Sequence, residues 1–457
     1  VDTTEWNKTV PLFETPKGEA NKLGYTIGTP QIGRVSIKRE TDGSAKLEEN
    51  IRYAGFLASG YAAEAKDAEA NETALYVYEM LGKEVGIGEK RGQPAGEEGK
   101  AGKELAKIIV PGGVGGLSTP TLLDTDFDGV VDFAFAGDRG GNMYRFDLRG
   151  ETPDKWTVVK IFSGSSNKPI TSAPAVSRRR ANEYVVIFGT GSEIYQSDLS
   201  NTETQSIYGI VQKLDKAPKD LFEDKANKDI AEQNLREQTI TEVEQSYNDE
   251  NNQLQTSKAL YLSNEKIEEA HKGWFINLRP GERVSIKPTM ILRTAIVTIR
   301  KYTSDVGKTI GKEEAEKDLC LPVSNNKSTV TSTTFLGINA DNGGALNSRS
   351  ARFAPTELTR PLDGFGTQYA NGLTQDGVIN FTFLNPSKLD DSPVTADGDS
   401  GGTGTDKELS VTSSTPNNKC FSNKVTRSLL LNKGESLAVE GGRICGLKRI
   451  SWRELFF

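Results

Sequence analysis

The chain alternates between short apolar segments and polar or glycine-containing turns. Three stretches show this pattern most clearly, and each predicts a strand followed by a hairpin. The apolar segments of these units are Tyr53–Tyr61 with Thr73–Glu79, then 118–123 with 132–138 and 141–148, then 170–176 with 184–191 and 193–199. Similar segments recur at 273–278 with 291–299 and at 333–343. The pattern predicts many short antiparallel strands.

The repeating units indicate the architecture. Units of roughly 40 to 50 residues, each built from several short strands, are typical of β-propeller blades. A propeller closes on itself and so leaves few strand edges exposed. The 46 glycines and the hydrophobic content of 35% also favour short strands joined by turns. We therefore predict an all-β fold with a β-propeller architecture. An all-β sandwich or a series of small β-domains is the alternative.

Two long polar stretches interrupt the strand pattern. Residues 213–257 are rich in charged and amide side chains with scattered apolar positions, which predicts one or two amphipathic helices on the rim. Residues 362–418 are rich in Gly, Ser, Thr, Asn and Asp, which predicts a long loop. We expect both to be surface insertions in a single domain that spans residues 1–457.

Charge and hydropathy narrow the set of partners. The formal charge of −7 disfavours nucleic acid as the main partner, because phosphate binding needs a basic surface. No apolar run approaches the eighteen or so residues that cross a bilayer. The segment that starts at Val1 has no initiator methionine and lacks the basic n-region and apolar h-region of a signal peptide. We expect either a removed leader or, as the favoured alternative, a fragment of a longer protein.

The cysteines and the single histidine offer little chemistry. Cys320, Cys420 and Cys445 lack the CxxC spacing of a zinc or redox site and predict one disulfide with one remaining thiol. Three pairings are open, with the short Cys420–Cys445 loop slightly favoured. His271 lies in a charged segment that predicts a solvated helix face. No G-x-S-x-G, HExxH or phosphate-binding glycine loop is present, so we expect a non-catalytic protein.

The segment 124–132, with the sequence DTDFDGVVD, carries the clearest chemical signal. Aspartates stand at loop positions 1, 3, 5 and 9, and a glycine at position 6 permits a sharp turn. Calcium takes six to eight oxygen ligands in a flexible shell, which alternate aspartates and a backbone carbonyl at position 7 supply. The predicted ligands are Asp124, Asp126, Asp128, the carbonyl of Val130, and Asp132.

This loop differs from an EF-hand, and an ion-free interpretation competes with it. Position 12 is Phe135 instead of glutamate and the flanks have strand character, so Asp132 is expected to close the ligand shell. Aspartate-rich turns are also common between strands without an ion. Four carboxylates in nine residues would repel one another at neutral pH, however, and magnesium requires a more rigid octahedral shell. The motif therefore predicts a calcium site.

The run from Ser118 to Asp132, which continues through 136–148, resembles the PilC/PilY family of type IV pilus tip proteins. Supporting segments follow in order along the chain: 23–33, 186–191, 205–210, 272–278, 281–284 and 449–455. The two insertions at 213–257 and 362–418 depart from the family pattern, so partner contacts near them are not carried over.

The resemblance implies a fold and a function. It implies the C-terminal domain of such a protein, a modified seven-bladed β-propeller of the quinoprotein type, with an adhesive N-terminal region outside the given residues. It implies a surface protein of a Gram-negative bacterium, at the pilus tip and outer membrane, that promotes pilus biogenesis, twitching motility and adhesion to host cells. The partners would be pilins and the host surface, and calcium on the 124–132 loop would set the balance between pilus extension and retraction.

Two other functions fit parts of the sequence. A quinoprotein dehydrogenase shares the propeller and uses calcium, but it usually carries a vicinal cysteine pair, which this chain lacks. A structural scaffold, in which calcium only stiffens the fold, is harder to dismiss than the dehydrogenase. The scaffold differs from the pilus factor in what it predicts: loop variants would lower thermal stability and leave piliation intact.

Overall fold

The computed structural model describes most of the first 384 residues and two strands beyond them. The described residues are 23–44, 50–64, 67, 71–81, 101–195, 197–198, 201–248, 254–291, 293–304, 328–346, 350–352, 358–362, 366–377, 379, 381–384, 426–431 and 436–441. All three cysteines lie outside this set, and so does their predicted pairing.

The first two sheets are four-stranded antiparallel meanders in which each strand pairs with the next along the chain. The first sheet contains β1 (Gln31–Ser36), β2 (Ile51–Ala58), β3 (Ala74–Glu79) and β4 (Glu104–Ile109). The second contains β5 (Thr121–Leu123), β6 (Phe133–Gly137), β7 (Met143–Asp147) and β8 (Thr157–Phe162). This is the strand arrangement of a propeller blade.

The third and fourth sheets are larger and share one stretch of chain. That stretch contains β9 (Ala175–Arg180), β10 (Glu183–Gly189), β11 (Ser206–Lys213), the helix α1 (Pro218–Glu223), β12 (Arg236–Gln238), β13 (Ile240–Asn248), β14 (Leu254–Leu262) and β15 (Gly273–Asn277). The third sheet has the order β9-β10-β11-β15-β12, with β12 parallel to β15. The chain thus leaves this sheet, contributes β13 and β14 to the fourth sheet, and returns.

The remaining strands complete the fourth sheet and form two smaller ones. They are β16 (Glu282–Arg283), β17 (Thr289–Ile291), β18 (Thr294–Ser304), β19 (Ser328–Asn339), β20 (Ala351–Arg352), β21 (Thr359–Leu362), β22 (Gly366–Tyr369), β23 (Gly372–Asp376), β24 (Phe381–Leu384), β25 (Thr426–Leu431) and β26 (Ser436–Gly441). The fourth sheet has the order β13-β14-β23-β19-β18-β16, and β17 also pairs with β18. The last sheets are β20-β26-β25-β24 and β21-β22.

Alternating side chains stack the sheets face to face. In β6, Ala134 and Ala136 enter a core shared with the first sheet, whereas Phe133 and Phe135 enter a core shared with the third sheet. In β10, Val185 faces a further core that it shares with the fourth sheet. Because side chains on a strand point to opposite faces in turn, each of these strands is buried on both sides.

One strand from each of the first four sheets lies beside a strand of the next sheet: β1, β5 and β9 at the ends of their sheets, and β17, which pairs with β18 in the fourth. β1 contacts β5, β5 contacts β9, and β9 contacts β17. These four strands, which we call the inner strands, thus form a continuous row in which each contacts the next, as expected where propeller blades adjoin. The count of seven blades stays a prediction. None of the helices in the described part of the chain is long and apolar enough to cross a membrane.

The prediction of amphipathic helices in residues 213–257 is wrong. This segment contains the six-residue helix α1, two short 3-10 turns, and the hairpin strands β13 and β14. Charged residues on the hairpin pair across the strands, with Lys258 Nζ 3.6 Å from Glu242 Oε1. A hairpin with one solvated face carries as many charges as an amphipathic helix, so composition does not distinguish the two.

The prediction of a loop over residues 362–418 is also wrong for the first part of this range. Residues 366–384 contain β22, β23 and β24, and Leu373 of β23 is buried between Phe335 of β19 and Ala259 of β14. The buried Asn371 side chain accepts a hydrogen bond from Leu262 N at 2.9 Å and donates one to the Gly337 carbonyl at 2.9 Å. This segment is therefore part of the core of the fourth sheet. Residues 385–418 lie outside the described set.

Candidate metal centre

The aspartate-rich segment forms the loop that joins β5 to β6. Its base is closed by the Asp132 N–H, which donates to the Leu123 carbonyl at 2.9 Å. The Val131 N–H donates to the Arg34 carbonyl at 2.8 Å and ties the loop to β1. The loop is thus fixed at the end of an inner strand, between the first and second sheets.

Three of the predicted ligands lie together. The carboxylates of Asp124, Asp126 and Asp128 each offer an oxygen, and these oxygens all lie within 4.8 Å of one another. Asp124 is partly buried, and Asp126 and Asp128 are exposed. Carboxylate oxygens at this spacing form a hard-oxygen cluster on the surface, which suits a cation such as calcium.

Backbone N–H groups orient the three carboxylates. Asp124 accepts from Phe127 N at 2.7 Å and from Gly129 N at 2.8 Å. Asp126 accepts from the N–H of Asp128 at 3.2 Å, and Asp128 accepts from the N–H of Val130 at 2.7 Å. These bonds wind the backbone tightly around the carboxylates.

The winding requires left-handed backbone at two positions. Gly129 has a φ of 85°, which glycine adopts without a steric cost. Phe127 has a φ of 64°, which is unfavourable for a residue with a Cβ. Its ring is 71% exposed at the tip of the loop. The loop therefore holds a strained aromatic residue in solvent.

The surroundings of the Asp128 carboxyl group oppose its ionisation. Partial loss of hydration beside the loop, and then the charges of Asp126, Asp132 and Asp124, raise the pKa of the Asp128 carboxyl above its usual 3.8, against the lowering effect of the Val130 N–H. A bound cation would reverse this effect, because it would favour the ionised form. The donor set and its electrostatics thus fit a calcium ion.

Asp132 lies apart from the other three aspartates. Its Oδ1 accepts from Arg39 Nη1 at 2.9 Å, and the two side chains are 3% and 1% exposed. Its Oδ2 accepts from the N–H and the hydroxyl of Thr125. Arg39 also donates to the carbonyls of Val131 and Gly43. In this structure Asp132 joins the loop to the first sheet through a buried ion pair.

Three further residues, which were not identified from the sequence, border the loop. The Arg34 guanidinium lies next to Gly129, since a Cβ built there would be 3.3 Å from Arg34 Nη1. From the third sheet, the Arg178 guanidinium lies 5.6 Å from the centre of the Phe127 ring, and the Tyr184 hydroxyl donates to the Thr125 carbonyl at 3.4 Å. The loop therefore contacts elements of three sheets.

Comparison with known families bears on this architecture. The family model described as the PilY1 beta-propeller domain matches residues 15–251, which is more than half of the 457 residues. The chain belongs to the PilY1 β-propeller domain family. This membership confirms both the resemblance to the PilC/PilY family and the prediction of a propeller.

Relatives of the PilY1 family show the same likeness over part of their length. The chain is 26% identical over 242 residues to the type IV pilus biogenesis factor PilY1 of Pseudomonas aeruginosa strain UCBPP-PA14, which is 46% of this chain and 18% of that protein. It is 23% identical over 220 residues to a PilY1 homolog of Xylella fastidiosa strain Temecula1, covering 45% of this chain and 13% of that protein. The matched region thus spans less than a fifth of either relative.

A solved structure supports the fold of the PilY1 domain. The crystal structure of the Pseudomonas aeruginosa PilY1 C-terminal domain matches with a TM-score of 0.58 at 18% identity, over 92% of this chain and 74% of that one.

His271, predicted to lie on a helix, instead lies after a turn, where its N–H donates to the Glu268 carbonyl at 3.1 Å and its Nδ1 accepts from Glu268 N at 3.1 Å.

Proposed function

We propose that this domain is a calcium-responsive, non-catalytic part of a type IV pilus biogenesis factor. The observation that carries the proposal is the cluster of three carboxylates on the 124–132 loop, in a chain that belongs to the PilY1 β-propeller family. The names of the relatives supply the link to pilus biogenesis.

The ion would be held mainly by Asp124, Asp126 and Asp128, with the Val130 carbonyl as a further ligand. Calcium is favoured over magnesium because the ligands come from one wound loop, which fits a flexible shell better than a strict octahedron. Asp132 is the fifth proposed ligand. For Asp132 to bind the ion, its carboxylate would have to give up at least the hydrogen bonds from Thr125.

The ion would act by changing the charge and the conformation of the loop. Neutralising three carboxylates removes their mutual repulsion, and the loop can then hold Phe127 and its neighbours in one arrangement. Because the loop contacts three sheets, this arrangement would form part of a protein-binding surface at their junction. We propose that pilins bind to this surface and that a calcium-occupied loop favours pilus extension over retraction. Through this effect, the full-length protein at the cell surface would promote twitching motility and adhesion to host cells.

The proposal is tested by calorimetric titration of calcium into the domain and into the Asp128→Asn variant. Asp220→Asn, an exposed carboxylate on α1, is the matched control. We expect one site in the wild type and the control, and a loss of affinity of at least tenfold in Asp128→Asn. Equal binding by all three proteins would overturn the metal site. Piliation of cells that carry Asp128→Asn then tests the regulatory role.

A structural role for the ion is the second candidate. It is favoured by the buried Arg39–Asp132 pair, which already joins the loop to the first sheet. An ion that only stiffens this junction would raise thermal stability by mass action, and loop variants would lower the melting temperature. Normal piliation and motility in Asp128→Asn cells, despite lost calcium binding, would favour this function.

A further inference from the structure

A group of positive charges lies at the hairpin turn between β9 and β10, next to the 124–132 loop. The turn has two residues, and Asn182 adopts a φ of 59°, which asparagine tolerates. The Leu214 N–H donates to the Asn182 carbonyl at 2.9 Å and ties the turn to β11. The cations are Arg178, Arg179 and Arg180 at the end of β9 and Lys213 at the end of β11, which together we call the basic turn.

Three of these cations share one carboxylate. The register between β9 and β10 shifts at Glu183, where β9 contains one extra residue. The Glu183 carboxylate therefore lies 3.3 Å from the Arg179 guanidinium, 3.9 Å from that of Arg180 and 4.0 Å from Lys213 Nζ. The Arg180 and Lys213 side chains are 73% and 68% exposed. One carboxylate does not neutralise three cations, so the basic turn presents excess positive charge to solvent.

Arg178 joins the basic turn to the 124–132 loop. Val176 packs against the core shared with the second sheet, and Arg178, two positions further on, projects to the same side of β9. The Arg178 guanidinium lies 5.6 Å from the centre of the exposed Phe127 ring. Within the part of the chain that the structure describes, no carboxylate lies at ion-pair distance from Arg178. The basic turn and the Phe127 ring thus form one surface.

The charge of the neighbouring loop decides what this surface can bind. Without a cation, the clustered carboxylates of Asp124, Asp126 and Asp128 would repel a negatively charged partner. A calcium ion on the loop would cancel two of these three negative charges. The positive charge of the basic turn would then dominate the surface.

We propose that the basic turn and Phe127 bind an acidic segment of a protein partner, and that calcium on the 124–132 loop permits this binding. The inference deepens the proposed function and rests on its calcium site. Arginines bind carboxylates through paired, charge-assisted hydrogen bonds, and the Phe127 ring offers an apolar contact beside them. A short segment can contact the turn alone, whereas an anionic membrane is flat and would also approach the carboxylates of the loop.

The test measures fluorescence anisotropy of a labelled, end-blocked peptide, Glu-Glu-Leu-Glu-Glu, and of the same peptide with glutamine in place of glutamate. Both are titrated with the domain in calcium and in EDTA. We expect the glutamate peptide alone to bind, about tenfold more tightly in calcium. The double variant Arg178→Gln with Arg180→Gln should bind it about tenfold more weakly than the wild type in calcium. Lys266→Gln with Lys287→Gln, which removes two exposed lysines outside the basic turn, is the matched control and should retain binding.

A triple variant separates this inference from the calcium site. Replacing Asp124, Asp126 and Asp128 with asparagine removes the charges but keeps oxygen acceptors for the backbone N–H groups of the loop. It should bind the glutamate peptide in EDTA as tightly as the calcium-loaded wild type. If it does and calcium has no effect on the wild type, the calcium step is overturned and the acidic-segment site stands.

Three results would overturn the acidic-segment site itself. The first is weak binding of the glutamate peptide by both the triple variant and the calcium-loaded wild type. The second is equal binding by the arginine double variant and the wild type. The third is binding to vesicles of phosphatidylglycerol and phosphatidylcholine without binding to the peptide, which would assign the basic turn to a membrane surface.

Discussion

Replacing Asp132 with asparagine distinguishes the contribution of this residue to folding stability from its proposed role in ion binding. The substitution removes the negative charge that faces Arg39 inside the protein, where both side chains are at most 3% exposed. Removing one partner of a buried ion pair costs about 3–5 kcal/mol, because the remaining charge is left without compensation. Arg39 keeps its bonds to the carbonyls of Val131 and Gly43, so we expect the lower end of this range.

The assay is urea unfolding in the presence of EDTA, so that no ion contributes to stability. We expect Asp132→Asn to lower the free energy of unfolding by about 3 kcal/mol. Asp128→Asn, which removes a charge of the same loop without breaking an ion pair, should not lower it. The double variant with Arg39→Met should recover part of the loss, because it leaves no unpaired charge in the core.

An unfolding midpoint of Asp132→Asn in EDTA equal to that of the wild type would refute this reasoning. It would mean that the Arg39–Asp132 pair contributes no net stability and that Asp132 serves the ion alone. A loss of stability that appears only when calcium is present would lead to the same conclusion.

Three further predictions test the electrostatics and the backbone. Without calcium, the raised pKa of the Asp128 carboxyl means that the folded state holds this proton more tightly than the unfolded state, so the contribution of Asp128 to stability should fall as pH rises above 3.8. The wild type should therefore lose stability relative to Asp128→Asn over this range, as measured by urea midpoints in EDTA. Phe127→Gly should be about 1 kcal/mol more stable than Phe127→Ala in the same assay, since only glycine relieves the positive φ while both lose the contact with Arg178. Burial lowers the pKa of Arg145 to about 10, and its guanidinium donates to Gln212 Oε1 at 2.7 Å. Because Gln212→Leu leaves this buried donor without an acceptor, it should lower the free energy of unfolding by about 1–3 kcal/mol, as measured by thermal unfolding. Gln212→Glu, which keeps an acceptor oxygen, should retain stability.

Local patterns predicted the strands and the three clustered aspartates. The alternation of Phe133 to Ala136 is typical of a strand that is buried on both faces, and such a strand was found. Asp124, Asp126 and Asp128 are separated by single residues, so a tight turn necessarily brings them close together. Both features depend on neighbours in the sequence, which is why they could be identified without a structure.

Long-range pairing was beyond the reach of the sequence. Asp132 is at ligand spacing, but its partner Arg39 lies 93 positions away, and no local pattern joins the two. The segment 193–199 was predicted to be a strand, but its described residues, 193–195 and 197–198, lie in no strand, and the Asp198 carboxylate accepts from the N–H groups of Ile194 and Tyr195. A side chain that satisfies backbone donors replaced the strand ladder at that point.

The crossing of the chain between the third and fourth sheets restricts how the domain can be assembled and divided. β13 and β14 are made before β15, so the third sheet cannot be completed until the first two strands of its neighbour have been synthesised. A fragment that stops at residue 251, where the family match ends, would expose the edge of β11 that β15 covers. The first two sheets are continuous in the chain and could be exchanged between relatives by recombination. The third and fourth are interlocked, so we expect them to fold together and to be inherited together.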